Sequence, residues 1–176
     1  METPSERLAR GVHAAFAELY DACADRVHHY LVVRLGSRSD ADDVLQETFL
    51  RLVRGRAKLA EVENLVAYMF TIARNEAARL SERRSRECAV LDSLAADDIF
   101  CEAAGKDDQA RETAEWVAAA LARLEPELRE LVELKMYCGL TIREISEVTG
   151  LPPGTVATRY RRALETMRSR MEKELQ

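Results

Sequence analysis

Gly139-Leu-Thr-Ile-Arg-Glu-Ile-Ser-Glu-Val-Thr-Gly150-Leu-Pro-Pro-Gly-Thr-Val-Ala-Thr-Arg-Tyr-Arg-Arg162 carries the densest local information in the chain. Thr141 followed by Glu144 has the spacing of a capping box, in which the Thr side chain and the Glu carboxylate each satisfy an otherwise orphaned backbone N–H. Ile142, Ile145 and Val148 then recur on one face of a short helix. Gly150 stands where a left-handed residue ends that helix, with Leu151 placed to fold back on it. Pro152-Pro153 cannot extend the first helix, yet Pro153 suits the opening turn of a second. Val156, Tyr160, Ala163, Leu164, Met167 and Met171 form that helix's apolar stripe. The pattern predicts a helix-turn-helix between 137 and 171.

Outward from this motif the chain continues to read as helix. Its 176 residues are 47% hydrophobic and 32% charged, with 7 Gly and 4 Pro, a composition suited to an all-α fold. Val12, Phe16, Leu19, Tyr20, Cys23, Val27, Tyr30, Leu31 and Leu35 trace one helical face, stopped by Gly36. Ser39 with Asp42 resembles a cap for a second helix, whose inner stripe is Val44, Leu45, Thr48, Leu52 and Val53, ending near Gly55. A polar loop, 56–63, leads to Asn64, a good N-cap for a third helix burying Leu65, Tyr68, Met69, Ile72, Ala77 and Leu80. Further on, Trp116, Ala119, Ala120 and Leu124 suit one helix, and Pro126 opens another with Leu128, Leu131, Val132 and Met136 inward. Two small helical domains are expected, 10–86 and 112–176, joined by an acidic linker, 87–111, with a short helical piece at 90–94.

The net charge of −5 argues against nucleic acid only as an average. Residues 87–115 hold nine acids against Lys106 and Arg111. By contrast, 155–171 has five arginines against Glu165, and 74–86 has five against Glu76 and Glu82. Two basic surfaces thus flank an acidic middle, and the local sign decides what each binds. In the helix-turn-helix, Gly154, Thr155, Thr158, Arg159, Arg161 and Arg162 occupy the end of the second helix that enters a major groove. Small residues admit the backbone, hydroxyls meet phosphate, and an arginine can read guanine through two hydrogen bonds. An αα-hairpin with solvated arginines is the simpler alternative.

On the second helix Asp43, Gln46, Glu47, Leu50 and Arg54 share the face opposite the core stripe. Acids, an amide and an exposed leucine suit docking on another helix pair, where a plain solvated face would need no leucine. The cysteines at 23, 88, 101 and 138 are scattered, and no histidine lies at ligand spacing from one, so buried reduced thiols are expected and neither metal nor cofactor. No apolar run is long enough to span a bilayer, and Met1–Glu6 lacks signal-peptide character, which points to the cytosol and no membrane insertion. No nucleophile–base set or phosphate loop suggests an enzyme.

With these pieces in order, the chain resembles an extracytoplasmic-function sigma factor of the sigma-70 family. Asp40-Ala-Asp-Asp-Val-Leu-Gln-Glu-Thr-Phe-Leu-Arg-Leu52 is similar to the helix of region 2 that binds the polymerase. Ala67-Tyr-Met-Phe-Thr-Ile-Ala-Arg-Asn-Glu-Ala77 resembles the segment reading the promoter hexamer near the start site. Leu124-Glu-Pro-Glu-Leu-Arg-Glu-Leu131 and the helix-turn-helix resemble region 4, which reads the distant hexamer. The resemblance implies a factor that joins RNA polymerase core, through clamp helices of the largest subunit and the flap region, and directs it to promoter DNA. It implies that Asn75 holds an unstacked base, with Lys58, Tyr68, Arg74, Arg79, Arg83 and Arg84 around the near hexamer. Tyr68 stands where Trp is common, Ala157 where a basic residue is frequent, Pro153 replaces a common aliphatic, and the loop 58–63 carries Glu61 and Glu63. An anti-sigma partner would fit the family, though no sequence feature marks one. Rival readings are a stand-alone helix-turn-helix regulator, which would need a dimerisation or sensor module, and a protein-binding adaptor that leaves DNA alone.

Overall fold

A computed structural model describes residues 2–88, 117 and 119–174, and all regular structure among them is helical. The chain divides into two compact units. The segment 89–116, with the expected helical piece, Cys101 and Trp116, lies outside the described residues, as do the side chains of Cys88 and Met171.

The first unit begins earlier than periodicity suggested. Helix α1, Pro4–Ala9, is opened by Thr3, whose Oγ1 accepts from the Glu6 amide while Glu6 Oε2 accepts from the Thr3 amide at 2.7 Å. This capping box was present in the sequence, but six residues are too few to show a periodic stripe. Helix α2, His13–Leu35, buries Leu19, Cys23, Val27, Tyr30 and Leu31 as expected, and Gly36 ends it at φ 67°. Tyr20 is 48% exposed rather than inward. It sits at the edge of the stripe and lays its ring 4.8 Å from that of Phe49.

Helix α3, Arg38–Arg54, is capped by Ser37 and not Ser39, since Ser37 Oγ accepts from the Asp40 amide at 3.3 Å. Both serines offer the same chemistry, and the earlier one lies directly after the Gly36 turn. Val44, Leu45, Thr48 and Leu52 face inward, with Thr48 Oγ1 donating to the Val44 carbonyl, whereas Val53 is exposed. The expected loop contains a 3-10 helix, Arg56–Glu61, pinned by fully buried Leu59. Helix α4, Leu65–Cys88, starts at Asn64, whose Oδ1 accepts from the Ala67 amide. Its buried stripe is Ala67, Met69, Phe70, Ala73 and Ala77; Leu65, Tyr68, Ile72 and Leu80 are half-buried beside it. Phe70 meets Tyr30 edge to face at 5.8 Å, and the Arg26 guanidinium lies 5.9 Å from its ring centre.

In the second unit, residues 119–122 close a helix, and Arg129 donates to the carbonyls of Leu121, Ala122 and Leu124 at its end. Leu121 is buried there and Ala119 exposed. Helix α5, Pro126–Val132, runs into a π turn, Glu133–Tyr137, closed by the Cys138 amide on the Glu133 carbonyl at 3.1 Å. The extra residue in that turn shifts the phase, so Leu134 is buried and Met136 is 63% exposed, against the inward position expected for it. Helix α6, Ile142–Thr149, carries the expected capping box, with Thr141 and Glu144 bonded in both directions. Gly150, φ 74°, makes the turn, and Ser146 Oγ donates to the Leu151 carbonyl at 2.6 Å. Helix α7, Pro153–Glu174, brings Ala163 and Met167 against Leu121, Leu124, Leu128 and Val132, while Leu164 remains 38% exposed. The Cys23 and Cys138 thiols are free and buried, and burial pushes the Cys23 thiol up against a smaller opposing pull from Arg26.

Phe70→Ala should cost about 3–5 kcal/mol, the usual penalty for emptying a buried aromatic site. A fall in the urea midpoint with unchanged slope would register it; a change within about 0.5 kcal/mol would mean that the ring does not anchor α4.

Candidate nucleic-acid and protein interfaces

The outer ridge of α3 follows from which stripe is buried. Asp43, Gln46, Leu50 and Arg54 are exposed, and Glu47 is half-buried. Leu50, at 47% exposure, stands among charges. Glu47 accepts from Arg51 at 3.1 Å and lies 3.7 Å from Arg54, so the ridge is partly neutralised from within its own helix. At the other edge of α3, His28 Nε2 of α2 lies 3.0 Å from Asp42 Oδ1.

Helix α4 presents Asn75, Arg79, Arg83 and Arg84 outward, with Tyr68 and Arg74 half-buried, and Lys58 is exposed on the 3-10 helix. The arginines do not share one state. Arg84 places both terminal nitrogens 2.5 Å from the carboxylate of Asp40, which is only 8% exposed. Glu76, 9% exposed, receives Arg51 of α3 at 3.0 Å and Arg79 at 2.8 Å. Charge-assisted, two-pronged contacts to nearly buried carboxylates join α3 to α4 in two places. The sequence places Arg79 and Arg84 with the DNA-facing set; the geometry gives both a part inside the fold as well. These residues, with Asp43, Leu80, Arg83 and others, line an open groove of about 810 Å³ between the two helices. Asp40 and Glu127 escape sequence reading because their partners lie 44 and 32 residues away; the Glu76–Arg79 pair, at i,i+3, is legible.

In the second unit the first turns of α7 carry Gly154, Thr158, Arg161 and Arg162 exposed, and Thr155 and Arg159 half-buried. A side chain at Gly154 would meet nothing within 4 Å, so packing does not require glycine there. An open, shallow surface remains at the helix start, where another backbone can come close. Arg159 reaches Glu127 in the first turn of α5 at 2.6 Å, and Tyr160 donates its hydroxyl to Met136 Sδ at 3.2 Å. Among the described residues no cluster of three His, Cys, Asp or Glu could hold a metal, and no helix is long and apolar enough to cross a membrane.

The arrangement of an acidic ridge, an arginine-bearing helix beside it, and a separate helix-turn-helix has relatives. Residues 19–87 match the family model for sigma-70 region 2, and residues 114–167 the one for sigma-70, region 4. The chain belongs to the sigma-70 family. Among its curated relatives, the ECF RNA polymerase sigma factor BldN of Streptomyces coelicolor is 32% identical over 92% of this chain, which spans 62% of BldN. RNA polymerase sigma factor CarQ of Myxococcus xanthus is 32% identical over 93% of this chain and 92% of its own length. A solved structure of the sigma factor RpoE from Bartonella quintana, in complex with the anti-sigma factor NepR, shares the fold at 22% identity. It covers 89% of this chain and 96% of that one, with a TM-score of 0.69. Helix α1 lies before the region 2 match.

Arg84→Ala should destabilise the first unit by about 1 kcal/mol, discounted for the half-exposed guanidinium, because Asp40 keeps a poorly solvated charge. Arg162→Ala should stay within about 0.5 kcal/mol. Urea melts of the two variants side by side would separate them; equal effects would remove the structural part given to Arg84.

Proposed function

We propose that this sigma-70-family protein is a non-enzymatic initiation factor that binds RNA polymerase core and directs it to promoters. The observation that carries the reading is the presence, on one chain, of a region 2 match with an exposed α3 ridge and a region 4 match with an arginine-bearing helix. In this reading Asp43, Gln46, Glu47, Leu50 and Arg54 dock on the clamp helices of the largest polymerase subunit. Asn75 holds an unstacked base of the near hexamer through its amide, which can both donate and accept. Tyr68 stacks beside it, while Lys58, Arg74, Arg79, Arg83 and Arg84 neutralise phosphates. The start of α7, with Gly154, Thr155, Thr158, Arg159, Arg161 and Arg162, enters the major groove at the distant hexamer, and region 4 also meets the flap. Each domain binds weakly alone, and the tether makes the second contact intramolecular. An anti-sigma protein that covers the α3 ridge or α7 would hold the factor inactive.

Run-off transcription with core polymerase on a library of promoters tests the reading. The wild-type chain should start transcription at defined sites. Asn75→Ala should lower strand opening about tenfold, the worth of one good base contact, with core binding intact. Asp43→Arg should weaken core binding instead. Arg162→Glu should lower promoter binding and reduce the salt slope by about one ion for each phosphate no longer neutralised. Absence of promoter-dependent starts on every template would overturn the proposal, and tight binding of the isolated chain to duplex DNA would favour a stand-alone regulator.

A further inference from the structure

Helix α1 precedes the region 2 match, yet it is held in place at several points. Ser5 Oγ donates to the Val62 carbonyl at 2.8 Å, across 57 residues of chain. Leu8 is 1% exposed, and α1 packs chiefly on the 3-10 helix, whose Leu59 is fully buried. Arg7 grips Glu18 of α2 through two bonds of 2.9 Å, fixing α1 from the other side. At the joint, Gly11 takes φ +78°, and the Arg56 guanidinium comes within 3.5 Å of where a side chain would begin. Thr3, Pro4 and Ser5 also wall a cleft of about 460 Å³ whose other side is formed by residues 60–66.

The segment held in this way has little to hold it otherwise. A 3-10 helix has poorer hydrogen-bond geometry than an α-helix and depends on outside packing. Its flanks contribute single backbone bonds, Lys58 to Gly55 at 3.0 Å and Val62 to Leu59 at 3.1 Å. Its outer side carries exposed Lys58, Glu61 and Glu63, a donor and two acceptors whose direction depends on the backbone beneath. Glu acceptors favour bases with an exocyclic amino group, and such a preference needs the carboxylate held in one direction. We propose that α1 is a strap that fixes the 55–64 segment, and that Ser5 and Leu8 are positioning residues for base preference at the near hexamer. The proposal rests on the initiation reading above.

The full chain with Ser5→Ala, and separately with Leu8→Ala, is tested on promoters carrying each base at each position of the near hexamer. Ser5→Ala should cut the preference at one or two positions about fivefold, the equilibrium worth of one hydrogen bond, with core affinity within about twofold and distant-hexamer penalties unchanged. Leu8→Ala should act in the same direction and further. Hydrogen exchange on the free variants should show the amides of 56–62 opening faster while α2–α4 stay protected. Equal loss on all promoters, base preferences that do not move, or unchanged exchange at 56–62 would each overturn the strap. If the wild-type chain starts no transcription, the initiation reading fails and the specificity role falls with it, whereas a competent wild type with indifferent variants defeats the strap alone.

Discussion

Helix α4 can bury one stripe and no more, and the packing of Phe70 on Tyr30 determines which. With that ring inward, Ala73 and Ala77 follow it against the core, and Asn75 is carried to the solvent side. The small alanines let α4 approach closely, which brings Glu76 within reach of Arg51 and Arg84 within reach of Asp40. Polar geometry on the surface is therefore a consequence of apolar geometry beneath it. A shift of one residue in the α4 stripe would turn Asn75 by roughly a quarter turn and break both inter-helix ion pairs.

The same economy governs charge. The chain is acidic overall, yet its arginines cluster, and several of the acids near them are committed to local partners. Glu76 binds two arginines, Asp40 binds one across the helix seam, and Glu127 binds Arg159 on the recognition helix. Carboxylates shielded from water hold their partners more firmly than exposed ones do, so the pairs at Asp40 and Glu76 outrank that at Glu127, which is 75% exposed. A phosphate meeting Arg159 displaces a weak partner, and one meeting Arg84 a strong one.

Much of this is legible in the residues. The helix-turn-helix can be read down to its bonds, because caps, glycine turn and proline are local chemistry: Thr141–Glu144 and Gly150 take the expected states. The α3 ridge follows from periodicity alone. What escapes are features fixed by distance along the chain or by a break in period. Helix α1 is too short for a stripe, and the 3-10 helix hides its one buried residue, Leu59, in a polar run. Phe70 and Ala73 are easily passed over because neighbouring Met69 and Ile72 fit an equally good helical stripe. Arginines assigned to phosphate on sign alone prove to have carboxylates as neighbours.

The π turn at Glu133–Tyr137 has a consequence for how region 4 tolerates change. One surplus residue is stored there without lengthening the chain's path, like slack wound into a coil. Removal of a single residue from this turn would leave an ordinary α-helix with its bonding complete, yet everything beyond Cys138 would be rotated by about 100° relative to α5. The helix would survive the deletion, while the aim of the DNA-reading helix would not.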